Sequence, residues 1–216
     1  MARIPRTLTA AITALTALAW LIAVALGAGE WAQGFMGFIP ARVIGVAVPW
    51  TALPAILTPL SSTLVHANFV HLAFNLLIFV WCGAAVERVL GRGGLALIYV
   101  VGAYAAAAAQ FGYTATLPSS DLAWITPMIG ASGAISAVMG AFALSFGRAK
   151  HITGSARVNR WINIVWLLVA WVVLQLLVGW TAGAQGYLLA TPAHIGGFLA
   201  GLLIQRPLLL WRYRSA

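Results

Sequence analysis

Apolar residues along the 216-residue chain gather into six stretches, roughly 8–28, 69–89, 94–115, 129–147, 162–181 and 191–210. Each is close to the about 20 residues that a helix needs to cross a bilayer. The segments between them collect Gly, Pro and charged residues. The longest, 29–68, is interrupted by Gly34, Gly37, Pro40, Pro49, Pro54 and Pro59, while Trp31, Phe35, Phe38 and Trp50 keep it amphipathic. That predicts a long first loop lying partly in the membrane interface. The pattern as a whole predicts an all-α, polytopic membrane protein: one domain over 1–216, built as a bundle of six transmembrane helices.

Composition narrows the class further. Hydrophobic residues make up 62% of the chain and charged residues only 7%, with a mean hydropathy of +0.98. A soluble domain carries about 25% charged residues, so a water-soluble core is excluded. The net charge of +9 would suggest nucleic acid on a soluble protein, but its distribution points to topology. Arg3, Arg6, Arg88, Arg92, Arg148, Lys150, Arg157, Arg160, Arg206, Arg212 and Arg214 fall at one set of span ends; Arg42 alone falls at the other. Positive charge retained on the inner side puts both termini in the cytoplasm, which requires an even number of spans and agrees with six. Trp161 and Trp211 then mark the inner interface, and Trp31, Trp50, Trp124 and Trp180 the outer one. The first apolar run has the basic flank of a secretory signal but is long enough to be a retained span. The lone Cys82 has no disulfide partner and reads as a small apolar filler. Internal repeats, a nucleotide-binding glycine loop and metal-ligand spacing are absent from the sequence.

Polar residues inside apolar spans need a partner or a function, and Ser132, His194, His71 and Asn75 are the ones that stand out. At about 1.5 Å per residue, Ser132 lies roughly 24 Å from Arg148, His194 roughly 18 Å from Arg206 and Asn75 roughly 20 Å from Arg88. All three basic anchors belong to the inner side, so the three groups share a layer in the outer half of the bilayer. Ser132 opens a span in the run Gly130-Ala131-Ser132-Gly133, where small neighbours leave amides accessible and a helix N-terminus favours an oxyanion. Gly133 and Gly140 in the fourth span and Gly196, Gly197 and Gly201 in the sixth permit close helix approach, within which His194 could accept the Ser132 proton. His71 and Asn75, four residues apart, share one helix face and could donate to one oxygen.

The run Gly130-Ala131-Ser132-Gly133, the run Ala193-His194-Ile195-Gly196-Gly197-Phe198-Leu199-Ala200-Gly201, and His66, His71 and Asn75 in H-x-x-x-x-H-x-x-x-N spacing together resemble the signature motifs of rhomboid intramembrane proteases. The motifs stand in order on the second, fourth and sixth spans. The resemblance implies a rhomboid-like fold and a Ser-His dyad without an acidic third member or any cofactor or metal. Ser132 would attack the scissile carbonyl and His194 would move the proton, with His71, Asn75 and the Ser132 amide as the oxyanion hole and His66 as structural support. Gly130, Gly133, Gly197 and Gly201 would be motif glycines. The substrates implied are transmembrane segments of other proteins in the lipid bilayer, cut near small or helix-breaking residues, and the location implied is a bacterial cytoplasmic membrane. The run Ile39-Pro40-Ala41-Arg42 also resembles the start of the family's first loop.

Two departures bear on the mechanism. Some family members carry an aromatic residue four positions after the nucleophile, able to stack on the catalytic histidine; here it is Ser136. Imidazole orientation is thereby left to another ring, to packing or to neutral hydrogen bonds. The Trp-Arg pair found in the first loop of some members is also absent, with Leu57-Thr58 near the expected place. Glu30, Asp121 and Glu87 are all placed away from His194, and Glu87 reads as a tie between helix ends. Two other readings stay open at this stage: a non-catalytic rhomboid-like protein that holds membrane clients, and a small transporter using His194, His71 and Asn75.

Overall fold

The computed structural model describes residues 7–48, 51–147, 152–184 and 190–214, and for 178–184 the backbone alone. Arg3, Arg6, Pro49, Trp50, Arg148, Lys150 and the side chain of Trp180, which enter the topology and interface readings, lie outside those. The α-helices are α1 (Leu8–Ala25), α2 (Gly29–Met36), α3 (Pro40–Val43), α4 (Thr58–Ser61), α5 (Phe69–Thr114), α6 (Ser132–Phe146), α7 (Ala156–Ala184) and α8 (Thr191–Arg212), with 3-10 turns at Ala55–Leu57, Ser62–Leu64 and Leu122–Trp124. The first loop is thus less irregular than its Gly and Pro content suggests. Pro40 and Pro59 do not break its short helices but sit in their first turns, where a missing N–H costs nothing.

Among the described residues, four helices are long and apolar enough to cross a membrane: α1, α5, α7 over Ala156–Leu177, and α8. α5 is two limbs in one run. Gly91, at φ 75° and ψ 174°, breaks it between residues 69–90 and 92–114, limbs that lie over the second and third apolar stretches. That φ favours glycine, and the Arg212 guanidinium packs where a Gly91 side chain would stand. Asn68 caps the first limb by accepting the His71 N–H at 2.8 Å. α6 begins at Ser132 and not at 129, because Gly130 at φ 105° turns the chain immediately before it.

α5, α6 and α8 pack on one another at the centre, while α7 leans chiefly on α8. The core runs through Phe79, Val86, Leu95, Ile98, Ala134, Ala137 and Val138. Backbone approach replaces side-chain interdigitation between α6 and α8. A Cβ on Gly197 would overlap the Gly133 carbonyl oxygen, and one on Gly201 the Ala137 carbonyl oxygen. Around this core the outward faces are apolar and exposed, with Leu15, Leu18 and Leu21 on α1, Phe74, Leu77 and Trp81 on α5, and Val165, Val169 and Val173 on α7. A contiguous apolar exterior of this extent has lipid as its solvent, so the chain is an integral membrane protein. α1 is tethered from below by Glu87, whose carboxylate accepts from the Leu8 and Thr9 amides at 2.8 and 2.9 Å and from Thr9 Oγ1 at 2.6 Å. The expected tie between helix ends is there, made to the otherwise unsatisfied first turn of α1.

Candidate active site

The segment that presents Ser132 is held by the first loop. Phe38 and Met128 exchange both backbone hydrogen bonds, at 3.0 and 2.7 Å, the Gly130 N–H donates to the Ser62 carbonyl at 3.0 Å, and the Ala131 N–H donates to His66 Nε2 at 3.4 Å. Gly130 is required there twice over. Its φ is 105°, and a Cβ would come within 2.8 Å of His71 Nε2. Ser132 then opens α6, where the first amides of a helix have no carbonyl of their own turn to bond. A cavity of about 10 Å³ beside it, bounded by Ser62, Thr63 and Ala193 among others, has room for one water at the lower limit.

His194 lies in the first turn of α8, buried, with its carbonyl accepting the Trp171 Nε1–H at 3.2 Å. Its Nε2 stands 2.8 Å from Ser132 Oγ, the separation at which a hydroxyl hands its proton to a base. Two helices reach this distance because Gly197, three residues after His194, lies on the backbone of Gly133, next to Ser132. Ser136, in the place of the aromatic residue, is buried and donates to the Ser132 carbonyl at 2.7 Å. It does not support the imidazole.

His71 and Ser132 converge on Gly130: His71 Nε2 and Ser132 Oγ lie 2.8 and 3.8 Å from the point its Cβ would occupy. Asn75 is buried one turn below His71 and donates from Nδ2 to the His71 carbonyl at 2.8 Å, so one of its two N–H groups serves its own helix. His66 packs edge-on against His71, ring centroids 5.0 Å apart. Burial, with the His71 ring beside it, pushes the His66 imidazole down to about 4, which keeps it neutral and able to accept from Ala131. Its support goes to the loop before Ser132 and not only to the end of α5.

One partner was not among the expected residues. Gln175, on α7 and buried, places Oε1 2.7 Å from His194 Nδ1. Trp171, one turn earlier, stacks on Phe198 with centroids 4.8 Å apart. A signal for Gln175 was available: counted from Arg160, it lies about 22 Å along its helix, in the layer that holds Ser132 and His194.

Comparison with known proteins bears on this arrangement. The family model for the rhomboid domain matches residues 53–211. The chain is 29% identical over 144 residues to Rhomboid protease GlpG of Pectobacterium atrosepticum, covering 67% of this chain and 45% of that protein. It is 31% identical over 153 residues to Rhomboid protease AarA of Providencia stuartii, covering 66% of this chain and 52% of that one. It is also 29% identical over 146 residues to Rhomboid protein 1, mitochondrial, of Saccharomyces cerevisiae, covering 67% and 39%. The chain therefore spans about half or less of the length of these relatives. The matched region takes in the segment from the first loop to α8 that carries His66, His71, Asn75, Ser132 and His194, and with it the chain belongs to the rhomboid family.

Proposed function

We propose that the chain is an intramembrane serine endopeptidase, hydrolysing peptide bonds in or near transmembrane segments of other membrane proteins through Ser132 and His194. The observation that carries the reading is the 2.8 Å hydrogen bond between Ser132 Oγ and His194 Nε2. Ser132 Oγ attacks the scissile carbonyl carbon while its proton passes to Nε2. The carbonyl π pair moves to oxygen, stabilised by the Ser132 amide, His71 and the second Asn75 N–H. Collapse breaks the C–N bond, and Nε2 returns the proton to the leaving amine. Water then attacks the acyl-enzyme by the same proton path, freeing the acid and restoring Ser132. No cofactor enters these steps.

The same reading makes the two limbs of α5 separate spans and gives six, with both ends inside and the site opening to the outer face. A bacterial cytoplasmic membrane suits the GlpG and AarA relatives. Cleavage of a labelled single-span substrate in proteoliposomes tests the chemistry. The native chain cuts, and Ser132→Ala and His194→Ala at matched amounts do not. Equal cutting by all three assigns the activity to another site. No cutting, with no labelling of Ser132 by a fluorophosphonate, favours a protein that holds clients without cleaving them. Reagent access to single cysteines placed at Arg42 and Arg157 in a Cys82→Ala background tests the orientation; access to both from one side overturns it.

A further inference from the structure

We propose that Gln175 is a positioning residue for His194: its side-chain oxygen accepts the Nδ1–H and so fixes the imidazole with Nε2 free to take the Ser132 proton. This rests on the protease reading and supplies the part it lacks, since Ser136 brings no ring to the imidazole and donates to the Ser132 carbonyl instead. A serine hydroxyl that is to be deprotonated must donate, so Nε2 must accept and the ring hydrogen must sit on Nδ1. An amide oxygen can only accept, and at 2.7 Å Gln175 Oε1 stabilises that tautomer alone. The opposite arrangement, with the Gln175 amide nitrogen donating to Nδ1, puts hydrogen on Nε2 and leaves no base.

The surroundings make this polar contact specific. Gln175 is buried while Leu174, Leu176 and Leu177 beside it are exposed on the lipid face, so the polar side chain of α7 at this depth is turned inward. Trp171 grips α8 one turn away, through the His194 carbonyl and the Phe198 ring, and sets the register in which Gln175 reaches Nδ1. Among the described residues, the titratable side chain that acts on His194 from a neighbouring helix is the His71 imidazole on α5. α6 offers the uncharged Ser132 and Ser136, and on α7 Arg160 interacts instead with Arg206, on the inner side. Gln175 thus occupies the place an acid fills in a triad, with a neutral dipole in place of a charge.

The test compares Gln175→Leu and Gln175→Glu with the native chain in proteoliposomes, on the labelled single-span substrate, as kcat, KM and a pH profile. Gln175→Leu lowers kcat at least about tenfold with KM little changed. Gln175→Glu keeps activity but moves the ascending limb of the profile to higher pH by about one unit or more, because a carboxylate at Nδ1 favours the imidazolium. Native kcat in Gln175→Leu overturns the proposal. Should Gln175→Leu fail to fold, judged by its melting in detergent, the isosteric Gln175→Glu decides: a displaced limb supports the proposal and an unmoved one overturns it. Ring 15N shifts of His194 give a readout independent of turnover. Hydrogen on Nδ1 in the native chain supports the assignment and hydrogen on Nε2 overturns it, even if the native chain cuts nothing and the protease reading itself has failed.

Discussion

Substituting Gly197 by alanine tests whether the Ser132–His194 distance is set by backbone contact between α6 and α8. The new methyl group would overlap the Gly133 carbonyl oxygen, with Ser136 Cβ a further 3.4 Å neighbour. Backbone cannot rotate out of the way as a side chain can, so relief requires the helices to part by about 1 Å. Ser132 adjoins Gly133 and His194 lies three residues before Gly197, so nearly all of that displacement reaches the 2.8 Å bond. It becomes about 3.8 Å, beyond the range of proton transfer. The expected loss in kcat/KM is about 100-fold, for a displacement of that size at the reacting atoms, against about 1–3 kcal/mol of stability. Initial rates of substrate cleavage in proteoliposomes measure the first, and thermal melting in detergent the second. Gly112→Ala is the control, since a Cβ there meets nothing within 4 Å. A Gly197→Ala protein that cuts within about threefold of native, well short of the 100-fold loss, would refute the reasoning.

Three further outcomes are expected. Glu87→Ala removes the acceptor of three hydrogen bonds at the start of α1 and lowers stability by about 2–4 kcal/mol, seen as a lower melting temperature; unchanged melting would show that α1 is held by packing alone. Trp171→Phe keeps the ring on Phe198 but loses the donor to the His194 carbonyl, costing about 1 kcal/mol and a few-fold in kcat; a native-like Trp171→Phe beside an impaired Trp171→Leu would assign the effect to stacking instead. His66, held near 4 when folded against 6.5 when free, binds fewer protons folded than unfolded, so its contribution is whole above about pH 6.5 and is lost as pH falls toward 4. Melting temperatures measured down that interval should fall less steeply for His66→Gln, and parallel curves would count against it.

Ser132, His194, His71 and Asn75 were legible because a polar side chain in an apolar span is rare, and counting residues from the basic ring gives its depth. The gap between the second and third apolar stretches was legible, but the dihedral break at Gly91 and the cap at Asn68 show only in the structure. What escaped depends on how separate helices turn toward one another. Gln175 had the right depth, but nothing in the periodicity of α7 says that its amide faces Nδ1. Asn75 had the right face, yet its amide also bonds the carbonyl one turn above. The hold of Phe38, Ser62 and His66 on residues 128–131 joins irregular segments with no periodic pattern to read.

That hold orders events during assembly. Spans insert one at a time, each satisfying its own backbone, but the bend before Ser132 takes its shape from partners as distant in sequence as Phe38 is from Met128. Such non-local pairing closes late. A fully inserted and fully helical chain therefore passes through a stage with every span in place and no site, so helix content alone is no index of competence in a refolded sample. Fluorophosphonate labelling of Ser132 would lag behind the recovery of helical signal, by the time the first loop needs to dock.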